Sequence, residues 1–147
     1  MTIKELLIKH EGKKSRPYKC PAGFNTIGIG YNFDANPLPE DIEKYLKENG
    51  KITEDMIDRL LFLSVGAATT DCHSLFPDFD NFTEARRMAL VDFLFNIGKR
   101  RAMGFRKAIA AINTKRWADA AKEMKDSTWF NQVKGRAAEI IEMIEEG

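Results

Sequence analysis

Apolar residues recur at helical spacing along most of the chain and alternate with other residues only in one early segment. Ile3, Leu6 and Leu7 define one face of a short helix that Thr2 can cap and that Gly12 can end. Between Arg16 and Phe33, turn formers separate short aromatic and β-branched runs, which predicts a small twisted hairpin or meander.

The remaining pattern predicts helices. The predicted helices run from about Pro39 to Lys47, from Thr53 to about Phe76 before Pro77, and roughly over Glu84 to Ile97, Gly104 to Met124 with some interruption, and Gln132 to Glu145. The Met88 to Ile97 segment is apolar nearly all round, so it predicts a buried helix. We expect Trp117, Trp129 and Phe130 to be core residues rather than platforms for a ligand. The pattern therefore predicts an α+β fold that is mostly helical.

The composition allows one substantial core or two small lobes, because 44% of the 147 residues are hydrophobic. The net charge is only +1, from 23 basic and 22 acidic side chains, so nothing demands a polyanionic partner. The basic clusters near Lys13 and near Lys99 would favour approach to an anionic polymer such as a bacterial cell wall. Alternatively, they are ordinary solvated surface. A nucleic-acid binder, suggested by Arg86-Arg87 and Lys99 to Arg101, is disfavoured because no recognition motif is present.

The first residues, MTIKELLIKHEG, hold an apolar run too short and too charged for a signal peptide or a membrane span, so we expect synthesis in the cytoplasm. Cys20 and Cys72 are expected to be free thiols in that compartment. A zinc site that combines them with His10 and His73 lacks paired-ligand spacing. No metal and no cofactor are expected.

Glu11 is the first candidate for chemistry. It falls on the edge of the apolar face of the first helix, one turn beyond Leu7. A carboxyl group at such a border is poorly hydrated, which favours its protonated form and suits a general acid. The alternative is an ordinary solvated charge at a helix end.

The predicted hairpin supplies a second pattern. Strand alternation would place Thr26, Gly28 and Gly30 on one side and Ile27, Ile29 and Tyr31 on the other. The first side would have few side chains and form an open floor against which a ligand can lie. Alternatively, the glycines serve only to permit sharp twisting of the strands. A nucleotide-binding loop is disfavoured because no third glycine follows and no helix begins there.

Together, Glu11, Cys20 and the run Thr26-Ile27-Gly28-Ile29-Gly30 are similar to the catalytic signature of the phage T4-type lysozymes. Later segments agree in order along nearly the whole chain. They are Arg86 to Leu90, Gly104-Phe105, Lys115 to Ala121, and Trp129 to Gln132 with Arg136.

The resemblance implies a single lysozyme-like domain over residues 1–147. A small β-containing lobe (about 12–55) and a helical lobe (65–147) are joined by the long helix, with helix 1–11 on the helical lobe and a substrate cleft between the lobes. The implied activity is hydrolysis of the β-1,4 bond between N-acetylmuramic acid and N-acetylglucosamine in peptidoglycan. An endolysin of this kind is a monomer that stays in the host cytoplasm until lysis, when a holin admits it to the cell wall.

The resemblance also implies roles for individual residues. Glu11 matches the proton donor and Thr26 the residue that helps to hold the attacking water. We expect substrate contacts from Gly30, Tyr31, Phe33, Asn96, Gln132 and Arg136. Asn96 stands where the family usually has glutamine, and Arg136 matches an arginine near the acid.

Cys20 departs from the commonest pattern, because most members of the family have aspartate there, although some have cysteine. A thiolate at this position can act as base, electrostatic partner or nucleophile, and Lys19 with the nearby basic cluster is expected to lower its pKa. Alternatively, Cys20 merely fills the site while Glu11 and Thr26 do the work. Whether the configuration at the anomeric carbon is inverted or retained stays open. A peptidoglycan-binding protein without catalysis is the alternative function.

Overall fold

The computed structural model describes all residues from 1 to 147. The chain divides into two compact units, Met1–Ser64 and Val65–Gly147. The first unit contains two helices, a small sheet and the beginning of a long helix. Its elements are α1 (Ile3–Glu11), β1 (Lys14–Lys19), β2 (Asn25–Gly28), β3 (Tyr31–Asn32), α2 (Glu40–Asn49) and the start of α3 (Glu54–Leu75).

Helix α1 begins and ends where the sequence predicts. The Thr2 hydroxyl accepts a hydrogen bond from the Glu5 N–H at 3.1 Å, and the Glu5 carboxylate accepts one from the Thr2 N–H at 3.0 Å. This reciprocal capping satisfies two N–H groups that the helix itself leaves without partners. Gly12 then takes a φ of 78°, which ends the helix after Glu11.

The three strands form an antiparallel sheet in the order β1-β2-β3, which confirms the predicted meander. The predicted alternation through Tyr31 is wrong, because β2 ends at Gly28 and the chain turns back at Ile29-Gly30. Gly28 and Gly30 both have φ near 65°, a conformation that disfavours any side chain. The glycines therefore serve the sharp turn.

The expected packing face of the hairpin is confirmed, whereas the expected open floor is not. Ile27, Ile29 and Tyr31 are buried, but Thr26 is only 3% exposed as well. A Cβ atom on Gly28 would lie 3.7 Å from the Ile57 side chain of α3, so this position also faces packed atoms.

Helices α2 and α3 both match their predicted positions closely. Gly50 ends α2 in the left-handed conformation, and the Thr53 hydroxyl caps α3 by accepting from the Met56 N–H at 3.1 Å. Arg59 of α3 clamps the Asp41 carboxylate of α2 with two hydrogen bonds, of 2.7 and 3.1 Å. Helix α3 ends at Leu75, before Pro77.

The second unit is helical. After the end of α3 it contains a 3₁₀ turn (Phe79–Asn81) and the helices α4 (Glu84–Ala102), α5 (Arg106–Asn113), α6 (Trp117–Lys125), α7 (Thr128–Gln132) and α8 (Lys134–Glu146). The predicted stretch from Gly104 to Met124 is two helices, because Lys115 takes a φ of 57° between them. The predicted last stretch, Gln132 to Glu145, corresponds to α8, which begins at Lys134 because Val133 leaves the helical conformation; the short helix α7 before it was not predicted. Helix α4 continues past Ile97 through a kink at Gly98.

Helix α4 forms the centre of the second unit, as predicted. It buries Leu90, Phe93 and Leu94 on its way through the core. Trp129 is 2% exposed and packs edge-to-face on Phe93, with 4.9 Å between the ring centroids, which confirms it as a core residue. No helix of the chain is both long enough and apolar enough to cross a membrane.

Candidate active site

Glu11 is the last residue of α1, and its half-buried side chain lies against the turn between β2 and β3. A Cβ atom on Gly30 would lie 2.8 Å from the Glu11 Oε1 atom and 2.9 Å from its Cδ and Cγ atoms. Only a residue without a side chain leaves this space to the carboxyl group. The hairpin therefore packs its backbone directly against the predicted acid.

Cys20 opens the loop that joins β1 to β2, and its own N–H donates to the Phe24 carbonyl oxygen at 3.0 Å. Partial burial by itself raises the pKa of the Cys20 thiol. Hydrogen bonds from the backbone N–H groups of Phe24 and Ala22, from the Thr26 hydroxyl and from the backbone of Gly23 outweigh burial and bring this pKa below its ordinary value. The loop thus favours the thiolate.

The direction of this shift agrees with the sequence prediction, but the cause is different. The prediction invoked Lys19 and the nearby basic cluster, whereas the groups that favour the thiolate are hydrogen-bond donors of the loop and of Thr26. The difference arises because the chain turns back after β1, with the Gly23 N–H donating to the Cys20 carbonyl oxygen at 2.8 Å, and this turn, which the sequence does not reveal in detail, brings backbone N–H groups near the sulfur.

Thr26 is buried in β2, directly opposite Tyr18 of β1. Its hydroxyl donates to the Phe24 carbonyl oxygen at 2.9 Å and also contributes to the lowered pKa of Cys20. One hydroxyl carries one proton, so Thr26 donates either to Phe24 or to the sulfur at any moment. When it donates to Phe24, its oxygen lone pairs can accept a hydrogen bond from water.

Tyr18 belongs to the same group of residues, and the sequence reasoning missed it as a site residue. Burial raises the pKa of its phenol, and the negative charges of Glu11 and Cys20 raise it further. The phenol is therefore close enough to both groups to sense their charge. Strand pairing offered the available signal, because a residue opposite Thr26 shares its face of the sheet.

Two predicted substrate contacts of the first unit, Tyr31 and Phe33, follow directly after the turn. Tyr31 is 7% exposed, and its phenol donates to the Pro37 carbonyl oxygen at 3.0 Å. Phe33 is half-buried and donates its backbone N–H to the Asn25 carbonyl oxygen at 3.0 Å. These contacts fix the chain that follows Gly30, and a direct role of either side chain in substrate binding stays a prediction.

The other three predicted contacts lie in the second unit. Asn96 of α4 accepts a hydrogen bond from the Trp129 indole N–H at 2.8 Å. An indole only donates, so the amide oxygen is the acceptor and the amide N–H groups are left as donors for a ligand. Gln132, at the end of α7, accepts from Arg101 at 3.3 Å.

Arg136 of α8 donates its Nε–H to the Asp92 carboxylate of α4 at 2.8 Å. Asp92 is completely buried, and the Arg136 side chain is only 10% exposed. Such a pair holds the guanidinium group in a fixed place. The sequence reasoning missed Asp92, although one acidic residue inside the apolar Met88 to Ile97 segment is a signal of a buried partner.

The second unit also contains an open pocket of about 480 Å³. Its walls carry both signs of charge beside aromatic rings, which suits a ligand with amino and carboxylate groups. The lining includes Arg101, Phe105, Arg106, Lys107, Glu123, Asp126 and Trp129.

The structure gathers no group of three or more His, Cys, Asp or Glu side chains that is able to hold a metal ion. Cys20 and Cys72 are both free thiols, and Cys72 is completely buried in the second unit. Burial, with a smaller contribution from Asp71, raises the pKa of Cys72 to about 12. The two thiols therefore differ strongly in their chemistry.

This difference predicts that iodoacetamide alkylates Cys20 at least about a hundredfold faster than Cys72 near neutral pH, since only the thiolate reacts and each pKa unit changes its population about tenfold. Because the pKa of Cys20 is lowered, its alkylation rate should increase at a lower pH than the rate of an ordinary thiol does. Time-resolved peptide mapping by mass spectrometry measures both rates. Equal rates in the folded protein would contradict the assignment, and the denatured protein, in which both thiols react alike, is the control.

The chain is similar to known proteins over nearly its whole length. Residues 8–142 match the family model described as phage lysozyme. Two proteins of Dictyostelium discoideum, "Probable T4-type lysozyme 1" and "Probable T4-type lysozyme 2", are 33% and 30% identical to the chain, over 99% of it and 95% of each relative. The "Pre-baseplate central spike protein Gp5" of Enterobacteria phage T4 is 27% identical over 98% of the chain, which covers 28% of that longer protein.

Proposed function

Because the chain belongs to the phage lysozyme family, it is a glycosidase of the lysozyme type that hydrolyses peptidoglycan, and we propose that it is a muramidase. A muramidase cuts the β-1,4 bond between N-acetylmuramic acid and N-acetylglucosamine. The observation that carries this proposal is the packing of the Glu11 carboxyl group against Gly30, in the same unit as Cys20 and Thr26.

In the proposed mechanism, Glu11 donates its proton to the glycosidic oxygen as the bond to the anomeric carbon breaks. A water molecule that donates to the Thr26 hydroxyl oxygen supplies the new hydroxyl group. The Cys20 thiolate either takes the proton from this water, stabilises the positive charge on the sugar ring, or attacks the anomeric carbon itself to form a C–S bond that the water then breaks. In the last two cases the proton of the water goes to the Glu11 carboxylate, which lost its own proton in the first step. In the alternative, in which Cys20 only fills space, Thr26 alone holds the water, and the proton of the water goes to the Glu11 carboxylate.

The remaining site residues have proposed binding roles. Gly30, Tyr31 and Phe33 would contact the glycan from the hairpin, with Gly30 offering its backbone. In the second unit, Asn96 would donate its amide N–H groups, and Gln132 and Arg136 would add polar contacts. The mixed charges of the pocket beside Arg101 suit the peptide stems that peptidoglycan carries.

We also propose the biological role of an endolysin, which acts as a monomer and reaches the wall from the host cytoplasm when a holin opens the membrane. The absence of a helix able to span a membrane is compatible with this role. Expression in a host with and without a holin tests it, since lysis is expected only when both proteins are present. Lysis without a holin would contradict the proposed dependence.

The new chain ends in digested peptidoglycan test the proposed activity. Purified peptidoglycan is incubated with the protein, and mass spectrometry identifies the ends that appear. Reducing ends at muramic acid are expected. Reducing ends at glucosamine would identify a glucosaminidase, and anhydro-muramic acid ends a lytic transglycosylase. Binding to the pelleted wall with no new ends would favour the alternative of a binding protein without catalysis.

A further inference from the structure

Tyr18 has a position in the site that the proposed mechanism does not use. It lies opposite Thr26 in the pairing of β1 with β2. Directly opposed residues of an antiparallel pair place their side chains on the same face of the sheet. The negative charges of Glu11 and Cys20 both raise the pKa of the phenol, so the Tyr18 side chain lies within electrostatic range of both groups.

The ring of Tyr18 is held in place independently of its hydroxyl group. The Lys14 ammonium nitrogen lies 4.2 Å from the ring centroid, at the distance of a cation–π contact. Lys14 belongs to the same strand and pairs with Gly28, so the contact stays within the sheet. Replacing the tyrosine with phenylalanine therefore removes the hydroxyl group and keeps the ring and its contact.

The chemistry of the phenol is that of a hydrogen-bond donor. Burial raises the pKa of the phenol first, and the charges of Glu11 and Cys20 raise it further, so both effects favour the neutral O–H form over the phenolate. The Tyr31 phenol, by comparison, is occupied, because it donates to the Pro37 carbonyl oxygen at 3.0 Å. No protein acceptor takes the Tyr18 proton in this way.

We propose that Tyr18 is a further substrate-binding residue, whose phenol donates a hydrogen bond to an oxygen of the sugar bound at Glu11. The acceptor is a hydroxyl or acetamido oxygen of the glycan, since these are the acceptors that a pyranose unit of peptidoglycan presents. The proposal rests on the proposed muramidase function and adds a binding contact to the same site.

The test compares Tyr18→Phe with the parent enzyme and with Tyr45→Phe, a matched variant in α2 away from this group of residues. Initial rates on soluble glycan strands should give a kcat/KM about tenfold lower for Tyr18→Phe, the loss expected for one hydrogen bond to substrate. Tyr45→Phe should retain the parent value. Thermal unfolding should be the same for both variants, because the Tyr18 ring is retained.

A second measurement separates binding from a purely structural effect. Calorimetric titration with glycan fragments, in a Glu11→Gln background that prevents turnover, should show a Kd about tenfold weaker when Tyr18→Phe is added. An unchanged Kd, or a loss of rate that only follows a loss of folded protein, would overturn the proposal. Failure of the parent enzyme to cleave glycan would instead overturn the proposed function, while the titration would still report on Tyr18.

Discussion

Glu11→Gln is expected to lower kcat for peptidoglycan hydrolysis by roughly 10²–10⁴-fold, the contribution that a positioned general acid makes. The amide has the shape of the carboxyl group and still fits against Gly30, but it has no acidic proton for the glycosidic oxygen. Turbidity of a suspension of purified walls measures the rate, and circular dichroism with thermal unfolding shows that the fold is retained.

Glu5→Gln is the matched control, since it changes the same residue type in the same helix. Glu5 accepts a hydrogen bond from the Thr2 N–H, and glutamine is able to keep this capping contact. The control should keep the parent rate. A Glu11→Gln variant as active as this control would show that Glu11 is not the acid.

Gly30→Ala should be the second most damaging substitution, with kcat lowered by about a hundredfold, comparable to the loss of a positioned catalytic group. The added Cβ atom would lie 2.8 Å from the Glu11 Oε1 atom, so the carboxyl group must move. The backbone also takes a φ of 65° at this position, which alanine adopts only with strain. Stability should therefore fall as well, by about 1–2 kcal/mol.

Gly50→Ala separates the two effects. Gly50 has a similar φ of 72°, and its added Cβ atom would meet only the Arg16 side chain at an ordinary 3.6 Å. It should lose a similar amount of stability, about 1–2 kcal/mol, and keep its activity. The activities of Gly30→Ala and Gly50→Ala are compared per amount of folded protein. If the two activities are equal, the contact between Gly30 and Glu11 does not matter for catalysis.

The elements that the sequence predicts well are those with local signals. Helix α1 has its cap at Thr2, its stop at Gly12 and its apolar face within a dozen residues, and α3 has Thr53 and Pro77 at its two ends. The sequence predicts an interruption between Gly104 and Met124 but does not give its place, which the structure shows to be Lys115, between α5 and α6. Lys115 takes a positive φ, which the residue type does not predict, since lysine rarely adopts this conformation.

The candidate site shows the same division. Glu11, Cys20 and Thr26 stand out from the sequence through their spacing and their resemblance to a known signature. The roles of Tyr18 and Asp92 depend on contacts between different elements, namely the register of β1 with β2 and the packing of α4 on α8. The cause of the lowered Cys20 pKa is also geometric, because it depends on where the N–H groups of a turn point.

The lowered pKa of the Cys20 thiol is the structural feature with the clearest consequence for the chemistry of the site. A lowered pKa makes the thiolate available, and in the proposed mechanism this thiolate is the partner of Glu11. If alkylation of Cys20 abolishes hydrolysis while Cys72 stays unmodified, the thiolate takes part in the reaction or in substrate access. Full activity after alkylation would reduce Cys20 to a residue that fills space.

If Glu11 is the acid for hydrolysis at muramic acid, the number of new muramic acid reducing ends must depend on it. Parent enzyme and Glu11→Gln are incubated with the same purified peptidoglycan, the ends are reduced with borohydride, and muramitol is counted by mass spectrometry. We expect muramitol to accumulate with the parent enzyme and to stay at the background level with Glu11→Gln. Equal muramitol from the two proteins, or none from the parent, would contradict the claim.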